Sequence, residues 1–274
     1  MKFYNKFTPQ QMLTSNSEHP LNVLVTRPTK KSQALTLLLK KSNIACVSQP
    51  LFDYQPLADE KQSKALLTSA NILIFVSVAA VEFANASLTA TQWQYQHIIA
   101  VGKATKSALQ ALPLKNIQSP TQENSEGVLT LDILNEPLST KTITIVRGNG
   151  GREHLAIELA KRGATIHYLE SYQRVWRTFP KNIGKQWYQQ KINCIVVTSN
   201  ALLDKLIELT QVCNRDVESE ITTHWLNHCL WLVVSKRIAD QAKKIGLTNV
   251  IEADGANEQV ISTKLQTIIE HKLK

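Results

Sequence analysis

Glycine is scarce in this chain: nine residues in 274 is about half the usual frequency of roughly 7%. Three of the nine fall within four positions, Gly148, Gly150 and Gly151, so one loop takes a third of the supply. The four cysteines (Cys46, Cys194, Cys213, Cys229) form no CxxC pair, which removes the usual dithiol and zinc-ribbon signatures. Cys46 and Cys194 lie in apolar runs and read as reduced core thiols of a cytoplasmic protein. No apolar run approaches the roughly 18 residues of a membrane-spanning helix, so no membrane role is expected. There is no GxSxG elbow, no phosphate-binding loop ending in Lys-Ser/Thr, and no GxGxxG fingerprint. Residues 1–20 are polar, lack the apolar stretch of a signal peptide, and read as a flexible extension.

Two further classes are argued against by arrangement. The basic residues are spread through the chain without interleaved aromatics, which is not the pattern of a nucleic-acid track. His224 and His228 stand four apart beside Cys229, with Cys213 upstream. A zinc site needs four convergent ligands at defined spacing, and the segment offers no second matching pair. A helix face is the reading, and no metal or cofactor is expected.

What the chain does have is charge and repetition. Thirty-one basic residues against 22 acidic give +9, so an anionic partner is expected. Apolar residues at 43% and charged residues at 19% fit a globular protein, and the length suits two domains. An offset of 120 residues lays Leu21–Arg27 (LNVLVTR) on Lys141–Arg147 (KTITIVR). A second match joins Ile72–Ser77 (ILIFVS) to Cys194–Ser199 (CIVVTS), and a third joins Ile98–Gly102 (IIAVG) to Trp231–Ser235 (WLVVS). Each apolar run reads as a strand leading into a helix. Such alternation implies parallel sheets covered on both faces. The expected fold is therefore α/β, with two doubly wound parallel-sheet domains. Ser125 is expected to cap a helix running through Val128, Leu131 and Leu134, and Asn257 one through Val260, Ile261, Leu265 and Ile268. Ligands of such sheets sit beyond the carboxyl ends of the strands, here Thr26-Arg27, Ser77, Gly102, Arg147-Gly148, Ser199-Asn200 and Ser235.

In order and spacing, a set of motifs resembles the uroporphyrinogen-III synthase family. They are VTRP (25–28), Ser77 before Val81, AVGKATKSAL (100–109), SEGVL (125–129), RGNGGREHL (147–155), RGATIHYLESYQR (162–174), TSNALLDKL (198–206) and the stretch from Ser235 to Ala242. The resemblance implies a discontinuous first domain (21–49 with 173–274) and a second domain (52–169). A two-stranded hinge near Pro50-Leu51 and Glu170–Tyr172 would join them, with the ligand cleft between. It implies closure of the linear tetrapyrrole hydroxymethylbilane, which bears eight carboxylates, with inversion of ring D to uroporphyrinogen III and loss of water.

Arg27 is then a candidate carboxylate anchor, because a guanidinium fork grips carboxylates bidentately. Arg147, Gly148 and Arg152 bracket a loop whose N–H groups suit an anion. Gly102 lets a ligand approach the backbone, and Thr105 is read as a cap and hydroxyl donor. Ser77, Ser199, Asn200, Ser235 and Arg237 are candidate donors to propionate and acetate groups. Tyr172 is the catalytic candidate, since the family has a tyrosine here whose hydroxyl assists departure of the substrate's hydroxyl group. Two positions depart from the family pattern: Ala79 replaces an asparagine, and Ile238 stands where the first copy has Thr105. They leave room for a rival reading, a two-domain anion- or tetrapyrrole-binding module without catalysis. A monomer is the default assembly.

Overall fold

The computed structural model describes residues 20–151, 153–212 and 220–272. The expected N-terminal extension therefore lies outside the described residues, apart from Pro20, as do Arg152 and Cys213. The chain opens with strand β1 (Asn22–Val25), helix α1 (Thr29–Lys41) and strand β2 (Ala45–Ser48). There follow β3 (Phe52–Pro56), α2 (Glu60–Leu67), β4 (Ile72–Phe75), α3 (Val78–Ser87), β5 (His97–Ala100), α4 (Lys103–Gln110) and β6 (Ile117–Gln118). Next come α5 (Ser125–Leu129), β7 (Thr142–Gly148), α6 (His154–Lys161) and β8 (Thr165–Trp176). The chain then runs through α7 (Ile183–Gln189), β9 (Cys194–Val197), α8 (Asn200–Thr210) and α9 (Glu220–Thr223). Its last elements are β10 (Leu230–Val233), α10 (Lys236–Ile245), β11 (Val250–Glu252) and α11 (Glu258–Lys272).

Among the described residues, those up to 53 with those from 176 onward form one compact unit, and those from 54 to 175 form the other. The division falls inside β3 and inside β8. The first unit holds a five-stranded parallel sheet in the order β11-β10-β9-β1-β2. The second sheet runs β3-β8-β7-β4-β5-β6, and β8, β7, β4, β5 and β6 are parallel neighbours. Replacing each strand by its repeat partner (β1 by β7, β9 by β4, β10 by β5) turns one order into the other. The match extends to single bonds. Ile98 N–H donates to the Asn116 carbonyl, and Trp231 N–H donates to the Asn249 carbonyl at the corresponding place.

The strands are apolar on both sides because helices cover both faces. In β4, Leu73 and Phe75 pack with Ala80, Val81 and Ala84 of α3, while Ile72 and Ile74 pack with Val128, Leu155 and Leu159. In the first unit Val23 and Val25 meet Leu35, Leu39, Ile261 and Leu265. All four residues of β9 are buried. Among the described residues no helix is long and apolar enough to cross a membrane.

One helix start differs from expectation. Asn124, not Ser125, caps α5, its Oδ1 accepting the Gly127 N–H at 2.8 Å. The helix stops at Leu129 instead of continuing to Leu134. Thr130 Oγ1 bonds back to the Gly127 carbonyl and Leu131 N–H to the Val128 carbonyl, so the chain tightens into a short 3₁₀ turn at Asp132–Leu134. Asn257 does sit at the start of α11, accepting the Gln259 N–H at 2.8 Å.

Ile74 is fully buried at the centre of the second sheet. Ile74→Ala is expected to cost about 2–5 kcal/mol, from lost burial plus the cavity left behind, measured by urea unfolding.

Candidate functional site

A parallel strand that feeds directly into a helix places its last residue at the helix N-terminus. Ser77 and Ser199 do this in matched fashion. Each adopts the same extended backbone and accepts a helix N–H, from Ala80 at 3.1 Å and from Leu202 at 3.2 Å. Gly102 and Ser235 occupy the same place before α4 and α10, without a side-chain cap. Thr105 is not a cap: it lies inside the first turn of α4 and is buried. Gly102 holds the capping position, and the carboxylate that serves this helix end belongs to Glu123, accepting the Lys103 N–H at 3.0 Å.

In the second unit the ends of β4, β7 and β8 bring several candidates together. A register shift between Arg147 and Gly148 pairs Arg147 with Glu170 and Gly148 with Tyr172, leaving Ser171 as the extra residue of a bulge. The buried Ser171 hydroxyl ties the bulge to the Arg147 carbonyl at 3.3 Å. The bulge turns Tyr172 over Gly148, where an added Cβ would stand 2.7 Å from the ring. Tyr54 meets the ring edge-on with centroids 4.7 Å apart, and Phe83 stacks at 5.5 Å. The Tyr172 hydroxyl lies 3.1 Å from Ser77 Oγ. Ser77 thus touches both its helix and the tyrosine.

Arg147 is buried beside this group. Its guanidinium lies 3.9 Å from the Tyr168 ring centroid and 3.2 Å from Glu170 Oε1. Glu170 also accepts the Gly150 N–H at 2.9 Å. Gly150 and Gly151 take positive φ of 67° and 121°, a conformation that explains why glycines gather here.

The first unit presents Arg27, Ser199, Asn200, Ser235 and Arg237 at the ends of β1, β9 and β10. Arg27 is 3% exposed and ion-paired, its Nη1 2.9 Å from Glu258 Oε1. Asn200, Lys236, Arg237, Asp240, Gln241 and Lys244 line a groove of about 620 Å³. The Asn200 side-chain oxygen is buried there with no hydrogen-bond partner among the described residues. Lys236 and Asp240 pair at 2.9 Å; the hydrogen bond holds the carboxyl below its usual range and the amine above its own. Farther off, His224 Nε2 is 2.8 Å from the Ile192 carbonyl, so that nitrogen carries the proton and is no metal ligand. Burial lowers its pKa.

Glu123, Glu170 and Glu258 went unrecognised in the sequence. Each finds its partner only through strand register or a loop packed across a helix start, which residue spacing does not encode.

Replacing Gly148 by Ala is expected to force the Tyr172 ring off its seat and cost about 1–3 kcal/mol, the usual range for overpacking. Urea unfolding reads the loss, and an unchanged midpoint would mean that the ring moves freely.

Comparison with known proteins gives the family and the fold. The family model described as uroporphyrinogen-III synthase HemD matches residues 33–261. Uroporphyrinogen-III synthase of Salmonella typhimurium is 32% identical over 254 residues, covering 90% of this chain and all of that protein. The enzyme of Escherichia coli is 31% identical over 257 residues with the same coverage. Among solved structures, a mutant uroporphyrinogen III synthase from Thermus thermophilus covers 91% of this chain and 99% of its own at a TM-score of 0.59 and 12% identity. That from Helicobacter pylori covers 91% and 100% at 0.54 and 13%. These two likenesses concern the fold, while the family match and the two enterobacterial relatives concern the sequence. On that evidence the chain belongs to the uroporphyrinogen-III synthase family.

Proposed function

We propose that this protein closes hydroxymethylbilane to uroporphyrinogen III with inversion of ring D, releasing water, and so acts as a carbon–oxygen lyase. The C–O bond of the substrate's hydroxymethyl group breaks, and the oxygen leaves as water with one added proton. The azafulvene cation left behind is attacked by the substituted carbon of ring D. A spiro intermediate forms, and its rearrangement inverts the ring before a ring proton is lost. Without the enzyme the same azafulvene closes uninverted.

The single observation that carries this reading is the fixed Tyr172 hydroxyl, 3.1 Å from Ser77 Oγ and held by two aromatic rings over Gly148. A hydroxyl in a defined place can donate to the departing oxygen or orient the water. Arg147, the Gly150 N–H and the basic groove at Arg237 are suited to the substrate's eight carboxylates, as is the +9 charge. Arg27, Ser199, Asn200, Ser235, Gly102 and Thr105 are proposed to assist in binding, and Arg152 with them, outside the described residues. Their collective effect is orientation of one folded pose, which is worth several kcal/mol in a barrier. No step in this chemistry calls for a metal or an organic cofactor. We place the protein in the cytoplasm as a monomer. Support for the compartment comes from the free cysteines Cys46, Cys194 and Cys229.

The test is incubation with hydroxymethylbilane, oxidation of the product and chromatographic separation of isomers. Type III is expected, and type I alone overturns the reading. Tyr172→Phe is expected to lower kcat by about tenfold or more while product binding is kept. Undiminished turnover would make Tyr172 a packing residue only.

A further inference from the structure

Three of the anion-type donor groups at these strand ends carry a carboxylate from the chain itself. Glu170 Oε1 holds Arg147 Nη2 at 3.2 Å and the Gly150 N–H at 2.9 Å. Glu123 Oε2 holds the Lys103 N–H at 3.0 Å and fills the space a Cβ on Gly102 would need, 2.5 Å away. Glu258 repeats the arrangement on Arg27 in the other unit. The glutamates are the exposed partners: the Glu170 side chain is 35% accessible, against 10% for Arg147.

Arg147 is also underused. Its Nε and Nη1 are buried with no hydrogen-bond partner among the described residues. A guanidinium has five donors, and leaving buried ones idle is costly. The loop beside it has room, since nothing stands within 4 Å of a Cβ placed on Gly150 or Gly151. A half-exposed carboxylate on a buried, partly idle arginine is easily exchanged for a carboxylate that reaches more of its donors.

We propose that Glu170 and Glu123 are stand-ins for carboxylates of a polycarboxylate ligand. In the free protein they keep Arg147, the Gly150 N–H and the Lys103 N–H arranged as in a carboxylate complex. An incoming acetate or propionate arm takes over these donors while the glutamate turns out to water. The inference rests on the function proposed above and deepens it, because it makes substrate affinity an exchange of one carboxylate for another. Glu170 and Glu123 are positioning residues, acting through the donors they occupy and release.

Neutralising a stand-in therefore tightens binding. In the full-length protein, Glu170→Gln and Glu123→Gln are each expected to lower KM for hydroxymethylbilane by about three- to fivefold, the scale of a partly exposed ion pair. No matching rise in kcat is expected. Benzenehexacarboxylate, used as an unreactive competitor, should bind tighter by a similar factor, and in an Arg147→Met background the Glu170→Gln gain should vanish. A purely structural glutamate would leave affinity unchanged or weaker at an unchanged melting temperature, and that result overturns the proposal. Should Glu170→Gln fold poorly, Glu123→Gln decides the matter alone by the same two affinities. The two readings also fail separately. Type III product with unaltered affinities in the variants defeats the exchange alone. Absent cyclisation with tighter benzenehexacarboxylate binding defeats the assigned reaction alone.

Discussion

A parallel sheet covered by helices on both faces has no polar face to offer a ligand. Ile72 to Phe75, Cys194 to Val197 and Leu230 to Val233 are all buried, so each strand is spent on packing. Polar chemistry is confined to the ends, where strands hand over to helices and backbone N–H groups point outward. Everything of chemical interest in either unit follows from that confinement. Ser77 and Ser199 stand at the hand-over because an extended residue with a short hydroxyl closes the first helical turn, and the hydroxyl is then already in place at the sheet's edge.

Within that constraint the second unit adds one irregularity. The bulge at Ser171 inserts a residue opposite the Arg147–Gly148 step, so Glu170 and Tyr172 both present themselves to β7. Without it, alternation along the strand would still give Glu170 and Tyr172 a common side, but Tyr172 would oppose Asn149 and miss Gly148. The glycine supplies the flat floor under the ring, and Phe83 and Tyr54 supply its walls. A side chain so enclosed has few alternative rotamers, which suits a group asked to hold a hydroxyl still.

The strands and their alternation with helices were plain in the sequence, because buried strands leave unbroken apolar runs such as ILIF and CIVV. The internal repeat also exposed which strands are counterparts, and the shared sheet order bears this out. The discontinuous cut came only from family resemblance, since residue patterns are silent on which strands pair. The α5 cap was misread by one position because Asn124 and Ser125 are both good capping residues, and the tie is broken by where the chain turns. At the site, serines and glycines were legible from position at strand ends. Glu123, Glu170 and Glu258 were not, because a glutamate in a strand or after a loop has no local signature until its partner is known.

The interleaving of the units constrains the order of events during synthesis. Residues 54–175 are continuous, and every pairing from β8 to β6 is made among themselves. By contrast β1 lies between β2 and β9, and the Thr26 hydroxyl reaches the Val196 carbonyl across 170 positions of sequence. The first strand made must therefore wait, paired on one edge only, until the other unit has been threaded out and β9 arrives. Loop closure of that length is slow when the intervening chain is floppy and faster when it has already collapsed. A continuous unit that collapses before β9 emerges brings the neighbouring strands β3 and β8 together and so shortens the distance the partner strands must search.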